Sequence, residues 1–346
     1  MKTVVLLIFS LFLSGCGFTK TRNAQSSEYN KPNAITKAPF YNDKYSQDTA
    51  TRFGLMALFS ELVYMRHLND IGREKEACNV DITVNEGDLG EETYVPPALP
   101  VSTANGGSWS RWRPTHLSAI PVCINQNGLF YDTFVFTNKH GRIDEAVIAY
   151  RGTDDRYDWS SNMSATFGFE PKQYKLARLQ LPILIEALLK SNPEMKIYAT
   201  GHSLGGGLAQ QAGFLSRNVK EVITFNTSPV TNWTYLRLEK AVDNKYPIIY
   251  RLYHGGEALE KMRFVTTNAT EVQYGRHDIG VQFQPRRSFT GHSMEIITCA
   301  FARLIAKRGN GGKSADHNYE PDYISNELLG KKRMCDKVGI DLSPNT

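Results

Sequence analysis

Cysteine is scarce here, with five among 346 residues, and none sits in a C-x-x-C pair or beside a histidine cluster. That argues against a zinc-built or redox-motif protein, and no metal or cofactor is expected. Charge of one sign is also missing: 40 Lys and Arg face 35 Asp and Glu, for a net charge of +5. The basic doublets, Arg286-Arg287 and Lys331-Lys332-Arg333, are scattered and belong to no recognisable binding module, so nucleic acid is not an expected partner. No repeat period is visible. The apolar run 4–13, broken only by Ser10, is too short to cross a bilayer as a helix. What remains is ordinary globular composition, 41% hydrophobic and 22% charged, in a chain long enough for one sizeable core.

The short apolar run has a use. Lys2 supplies a positive start, and residues 1–15 read as a secretory signal. The run ends in Leu13-Ser14-Gly15-Cys16, which resembles the lipobox of bacterial lipoproteins. The resemblance implies cleavage before Cys16, acylation of its sulfur and new N-terminus, and therefore stable membrane anchoring. Gly17 and Phe18 follow, with no Asp, which for such lipoproteins implies the outer membrane of a bacterial cell envelope. Residues 16–46, rich in Lys, Asn, Ser and Thr, are expected to form a flexible tether with an end-to-end distance on the order of 30 Å. With Cys16 lipidated, Cys78, Cys123, Cys299 and Cys335 remain for disulfides, and three pairings are open.

Residues 47–346 read as one domain. Asp48 is placed to cap a helix reaching about residue 67, with Phe53, Met56, Phe59, Leu62 and Val63 at helical spacing. Residues 79–127, with Pro96-Pro97, Pro100 and Gly106-Gly107, read as an elaborated loop region. Strands are then expected at 128–137, 146–150, 196–200, 222–226 and 247–253, and helices at 172–189, 204–216, 234–242 and 293–307. From about residue 309 the chain becomes a polar tail. Strands alternating with helices argue for an α/β fold, a mostly parallel sheet with helices on both faces.

Gly201-His202-Ser203-Leu204-Gly205 fits Gly-x-Ser-x-Gly, and its context is a short strand entering and a helix leaving. Such a turn needs small residues two positions either side of the serine, and it leaves the Leu204 N–H free for an oxyanion. Ser203 is the expected nucleophile. It needs a base, which in this architecture follows the acid in the chain. The acid belongs after the second strand beyond the elbow, where Glu257 stands, with Glu260, Asp278 and Asp243 as rivals. Among His254, His277, His292 and His317, His292 is the best base, in a loop just before the last long helix. His254 lies too near its strand end, and His277 and His317 read as exposed loop residues.

At these residues the chain resembles the class 3, fungal-lipase-like family of α/β hydrolases, over about 145–300. Ala149-Tyr150-Arg151-Gly152-Thr153 is similar to the family's aromatic-Arg-Gly-Ser/Thr run. Asp158-Trp159 and Asn162 match its following Asp-Trp and Asn, and Thr224-Phe225-Asn226-Thr227-Ser228-Pro229 is similar to its Thr-Phe-Gly-Ser-Pro. The segment 250–257 aligns with its acid loop, with Glu257 where that family normally has Asp. The resemblance implies the α/β-hydrolase fold, an oxyanion hole from Thr153 and Leu204, and a lid at 155–169. It also implies acyl transfer from an ester. Membrane acylglycerols or phospholipids are the favoured substrates. Soluble short-chain esters or thioesters, or a non-catalytic binding scaffold, are the alternatives.

Overall fold

Apolar side chains alternate along the strands of this chain, so each strand feeds two cores, one on either side of a sheet. The computed structural model describes residues 36–38, 44–64, 99, 101–103, 105–114, 120–152, 170–244, 246–259, 276–283, 290–308 and 317–340. Its strands are β1 (Thr36–Ala38), β2 (Val101–Ser102), β3 (Ser108–Arg111), β4 (Cys123–Gln126), β5 (Leu129–Thr137) and β6 (Ile143–Tyr150). They continue with β7 (Lys196–His202), β8 (Val219–Phe225), β9 (Ile248–His254) and β10 (Arg276–Val281). The helices are α1 (Lys44–Leu62), α2 (Lys172–Ser191), α3 (Leu204–Leu215), α4 (Trp233–Leu238), α5 (Met294–Arg308) and α6 (Pro321–Leu328).

All ten strands join one sheet in the order β1-β10-β9-β8-β7-β6-β5-β3-β2, with β4 also on β5. From β1 to β6 the neighbours are parallel. From β6 outward through β5 to β2, β3 and β4 they are antiparallel. On β6, Ala146, Ile148 and Tyr150 join the core beneath α2 and α3. Val147 and Ala149 join the opposite core, built with α1, α5 and α6. This is the α/β-hydrolase fold, and the parallel strands bring the C-terminal ends of β7, β8 and β9 side by side, where ligand sites form in open α/β sheets.

Helix α1 packs on strands β6, β7 and β8 and against α5 and α6. Phe53, Leu55, Met56, Leu58 and Phe59 are all fully buried, each such burial contributing about 1.5–3 kcal/mol relative to exposure. Packing holds it, since it has no acidic residue in its first turn and no basic one in its last. It starts earlier than expected, so Asp48 is no cap; it lies inside the helix and pairs with Arg308 of α5 at 2.8 Å.

Three other expectations are corrected. The tether does not run to residue 46, because Thr36–Ala38 pairs in parallel with β10 and α1 begins at Lys44. The loop region 79–127 contains β2, β3 and β4, which extend the sheet antiparallel at its edge. The polar tail is docked: α6 buries Ile324 and Leu328, and Cys335 is bonded to Cys299 of α5 with a Cα–Cα distance of 5.4 Å. Cys123 is disulfide-bonded too. Cys16 and Cys78 lie outside the described residues.

Candidate active site

The sharp turn between β7 and α3 puts Ser203 at φ 55°, ψ −124°. A side-chain-bearing residue in that region costs on the order of 1–3 kcal/mol, so its surroundings must hold it there. They do so through the main chain. Ser203 N–H donates to the Phe225 carbonyl at 3.1 Å, and the Ser203 carbonyl accepts from Gly206 N–H at 3.0 Å and Ser228 N–H at 2.9 Å. Glycine is required beside it. A Cβ at Gly205 would strike the Tyr150 carbonyl oxygen, and one at Gly152 would lie 2.8 Å from the His202 carbonyl oxygen and 3.1 Å from Ser203 Cβ. Ser203 is 5% exposed. Leu204 opens α3, which has no side-chain cap, so its N–H belongs to the helix's unsatisfied first turn.

His292 ends a single 3-10 turn (Thr290–His292) just before α5. Its Nε2 stands 2.9 Å from Ser203 Oγ, and its Nδ1 stands 2.7 Å from Glu257 Oε2. The carboxylate can only accept, so Nδ1 carries the hydrogen, and Nε2 is left to accept from the serine hydroxyl. Glu257 sits in the turn after β9, buried, with Oε2 also accepting from Leu259 N–H at 2.8 Å. The structure therefore brings together the serine, histidine and glutamate singled out in the sequence, from 203, 292 and 257.

Two of the rival acids are occupied elsewhere. Asp278 lies in β10 and receives Arg251 Nε at 2.6 Å and Nη2 at 2.8 Å. Asp243 pairs with Arg217 at the surface. Glu260 lies outside the described residues, as do Thr153, Asp158, Trp159, Asn162 and the expected lid at 155–169. His254 is fully buried; its Nδ1 donates to the Gly255 carbonyl at 3.1 Å and its Nε2 accepts from Phe283 N–H at 3.0 Å. His277 and His317 are not exposed loop residues. The first is buried in β10, stacked on Tyr250 with ring centroids 4.8 Å apart. The second is buried edge-on to Tyr198, and burial, then Arg52 and Lys196, push its pKa down to about 3.

Reasoning from sequence missed three residues around Ser203, His292 and Glu257: Tyr64, His202 and Asn226. Asn226 had a signal. It occupies the glycine position of the Thr-Phe-Gly-Ser-Pro pattern and adopts φ 42°, a region asparagine tolerates better than most residues. Its Nδ2 donates to the carbonyls of Gly291 at 3.0 Å and His292 at 3.1 Å, while its Oδ1 accepts from His254 N–H at 2.8 Å.

Comparison with known proteins places the chain. The family described as phospholipase-like, the Tle-like phospholipase domain, matches residues 94–274, just over half of the sequence. The chain belongs to the Tle-like phospholipase domain family. The matched segment includes Ser203 and Glu257, and His292 follows it. The class 3 likeness stays a resemblance of motifs.

A stretch of 118 residues, 34% of the chain, is 30% identical to the extracellular phospholipase A1 of Serratia liquefaciens. The match spans about a third, 34%, of that relative's length. Among solved structures, a mutant of MDLA from Penicillium cyclopium is 14% identical, with 65% of this chain and 77% of that chain covered at a TM-score of 0.35. The S-formylglutathione hydrolase FrmB of Staphylococcus aureus is 10% identical, with 61% and 98% covered at a TM-score of 0.34.

Proposed function

We propose that this chain is a lipid-anchored serine hydrolase that cleaves acyl esters of phospholipids or acylglycerols through Ser203, His292 and Glu257. The unbroken chain of contacts from Ser203 Oγ through the His292 ring to Glu257 Oε2 carries the reading, at 2.9 and 2.7 Å. His292 Nε2 takes the hydroxyl proton as Ser203 Oγ bonds to the ester carbonyl carbon. The carbonyl electron pair moves to oxygen, which is held by N–H groups of Leu204 and Thr153 and the Thr153 hydroxyl. When the oxygen–carbonyl bond to the alcohol breaks, His292 gives its proton to the leaving alkoxide. Water, deprotonated by the same nitrogen, then releases the fatty acid. Glu257 keeps the imidazole in the required tautomer and stabilises its cation.

Lipid is the favoured substrate on two grounds. The family is phospholipase-like, and acylation of Cys16 would hold the enzyme in the outer membrane, at a bilayer surface. Residues 155–169, with Trp159, Met163, Phe167 and Phe169, would serve as the lid. The test is fluorophosphonate labelling of the wild type, Ser203→Ala and His292→Ala, with fatty-acid release from phospholipid vesicles measured in parallel. Labelling of the wild type alone and release from vesicles is the expected result. Activity confined to soluble short esters sinks the lipid assignment, and no label at Ser203 sinks the enzyme assignment.

A further inference from the structure

Helix α1 and strand β7 touch with matched spacing. Four helical residues advance about 6 Å and two strand residues about 6.6 Å. So Ser60 in α1 and Tyr64 in the turn that follows it, four residues on, meet Thr200 and His202, two positions apart on one face of β7. Ser60 Oγ lies 2.9 Å from Thr200 Oγ1, and Tyr64 Oη lies 2.8 Å from His202 Nδ1. The second contact is part of a longer chain. Gly152 N–H donates to Tyr64 Oη at 2.9 Å, and His202 Nε2 lies 2.6 Å from the carbonyl oxygen of His292.

With the His202 ring neutral, the hydrogen bonds along this chain run in one direction. The His292 carbonyl can only accept, so His202 Nε2 carries a hydrogen. Nδ1 of the neutral ring then accepts, and the Tyr64 hydroxyl donates into it. The Tyr64 oxygen in turn accepts from Gly152. Burial holds the Tyr64 phenol well above its usual range, so its proton stays in place. Both ends of the chain lie against Ser203: a Cβ on Gly152, which directly precedes Thr153, would stand 3.1 Å from Ser203 Cβ, and His292 Nε2 stands 2.9 Å from Ser203 Oγ. Asn226 Nδ2 reaches the same His292 carbonyl at 3.1 Å.

We propose that Tyr64 and His202 are positioning residues for hydrolysis, fixing the main chain before Thr153 and the main chain of His292 relative to Ser203. The inference deepens the proposed function and rests on its assignment of His292 as base. Neither the Tyr64 nor the His202 side chain takes part in the proposed proton transfers. Its effect is geometric: the His292 backbone sets where Nε2 points, and displacing a reacting group by about 1 Å costs on the order of 100-fold in rate.

Tyr64→Phe is the sharpest test, because it keeps the ring, which packs edge-on to His202, and removes only the hydroxyl. We expect kcat on a soluble ester to fall about 10- to 100-fold with KM within about twofold, and fluorophosphonate labelling of Ser203 to slow in step. The melting temperature should move by no more than about 4 °C. The downfield proton resonance of His292 Nδ1–H should shift or broaden. In a paired comparison, His202→Gln retains a donor near the Nε2 position and should keep about tenfold more kcat than His202→Phe.

Unchanged kcat and an unchanged Nδ1–H resonance in Tyr64→Phe would overturn the proposal, as would a stability loss with kcat intact. If Tyr64→Phe does not fold, the His202 pair decides, and equal kcat in Gln and Phe overturns it. A wild type that takes no label at Ser203 refutes the proposed function instead; the Nδ1–H resonance then still reports whether Tyr64 holds His292.

Discussion

Glu257 Oε2 lies 2.7 Å from His292 Nδ1, its side chain fully buried while that of the histidine is 19% exposed. A buried carboxylate with one acceptor oxygen committed to an imidazole can orient that ring and offset the charge it gains. Glu257→Gln should leave the fold intact and lower kcat about 10³- to 10⁴-fold, because the amide no longer selects the required tautomer. Glu257→Asp withdraws the carboxylate by about one methylene and should cost less than Gln does. Steady-state kinetics on a soluble ester, with circular dichroism as a fold check, would show both. Equal activity of Gln and wild type removes Glu257 from the triad.

The elbow makes a sharper steric prediction. A Cβ at Gly205 meets main-chain atoms only, the Tyr150 carbonyl and the Arg151 carbonyl carbon, which cannot swing aside. Gly205→Ala should therefore destabilise by about 1–3 kcal/mol and displace the oxyanion side of Ser203. Urea unfolding together with the labelling rate measures this. A variant with wild-type stability and labelling would show that β6 and α3 pack more loosely than described.

Glu61 of α1 is predicted to set a pH slope. Burial, with Glu295 nearby, pushes its pKa up to about 8 from 4.5, and its Oε2 has no hydrogen-bond partner among the described residues. Between those values the unfolded chain releases the proton that the folded chain keeps. Stability should thus fall as pH rises from about 4.5 to about 8, then level off. Glu61→Gln should match the wild type near pH 4 and exceed it by about 1–3 kcal/mol at pH 8. Urea midpoints across that range decide it; parallel curves for the two proteins contradict it.

The Cys299–Cys335 bond closes a loop of 36 residues that carries α6. Loop-closure entropy assigns such a bond about 4 kcal/mol. Cys335→Ser should lower the melting temperature and expose the 317–340 segment to protease, with kcat unchanged below the new transition. A protease-resistant tail in the variant would mean that Ile324 and Leu328 suffice to hold it.

Much of the site was legible because its signals are local. A glycine two residues either side of Ser203 follows from one tight turn, and the α/β pattern follows from apolar runs alternating with helical periods. The order of acid and base along the chain then pointed to 257 and 292. Asn226 was half legible, as a non-glycine residue in a glycine slot.

The misses have a common cause. β10 reads Arg-His-Asp-Ile-Gly-Val and looks like a polar loop, yet every residue in it is buried. Its Asp278 is matched by Arg251 on the neighbouring strand, a partner 27 residues away. β1, β2 and β3 are too short to show alternation. The C-terminal segment looks polar because only Ile324, Leu328 and a few neighbours face inward, and what anchors it is a bond to α5.

Sequence alone marked Ser203 as the candidate nucleophile and determined its turn and the layered α/β class, because each depends on residues within a few positions of one another. Tertiary structure decided among the carboxylates offered to His292, which cysteines meet, and that Tyr64, in the turn after the first helix, reaches the neighbourhood of Ser203. Those outcomes depend on strand order and on how α1 lies across β7. The contacts they produce join residues 35 to 138 positions apart, from Glu257 and His292 to Tyr64 and His202, distances over which no local pattern in a chain can report.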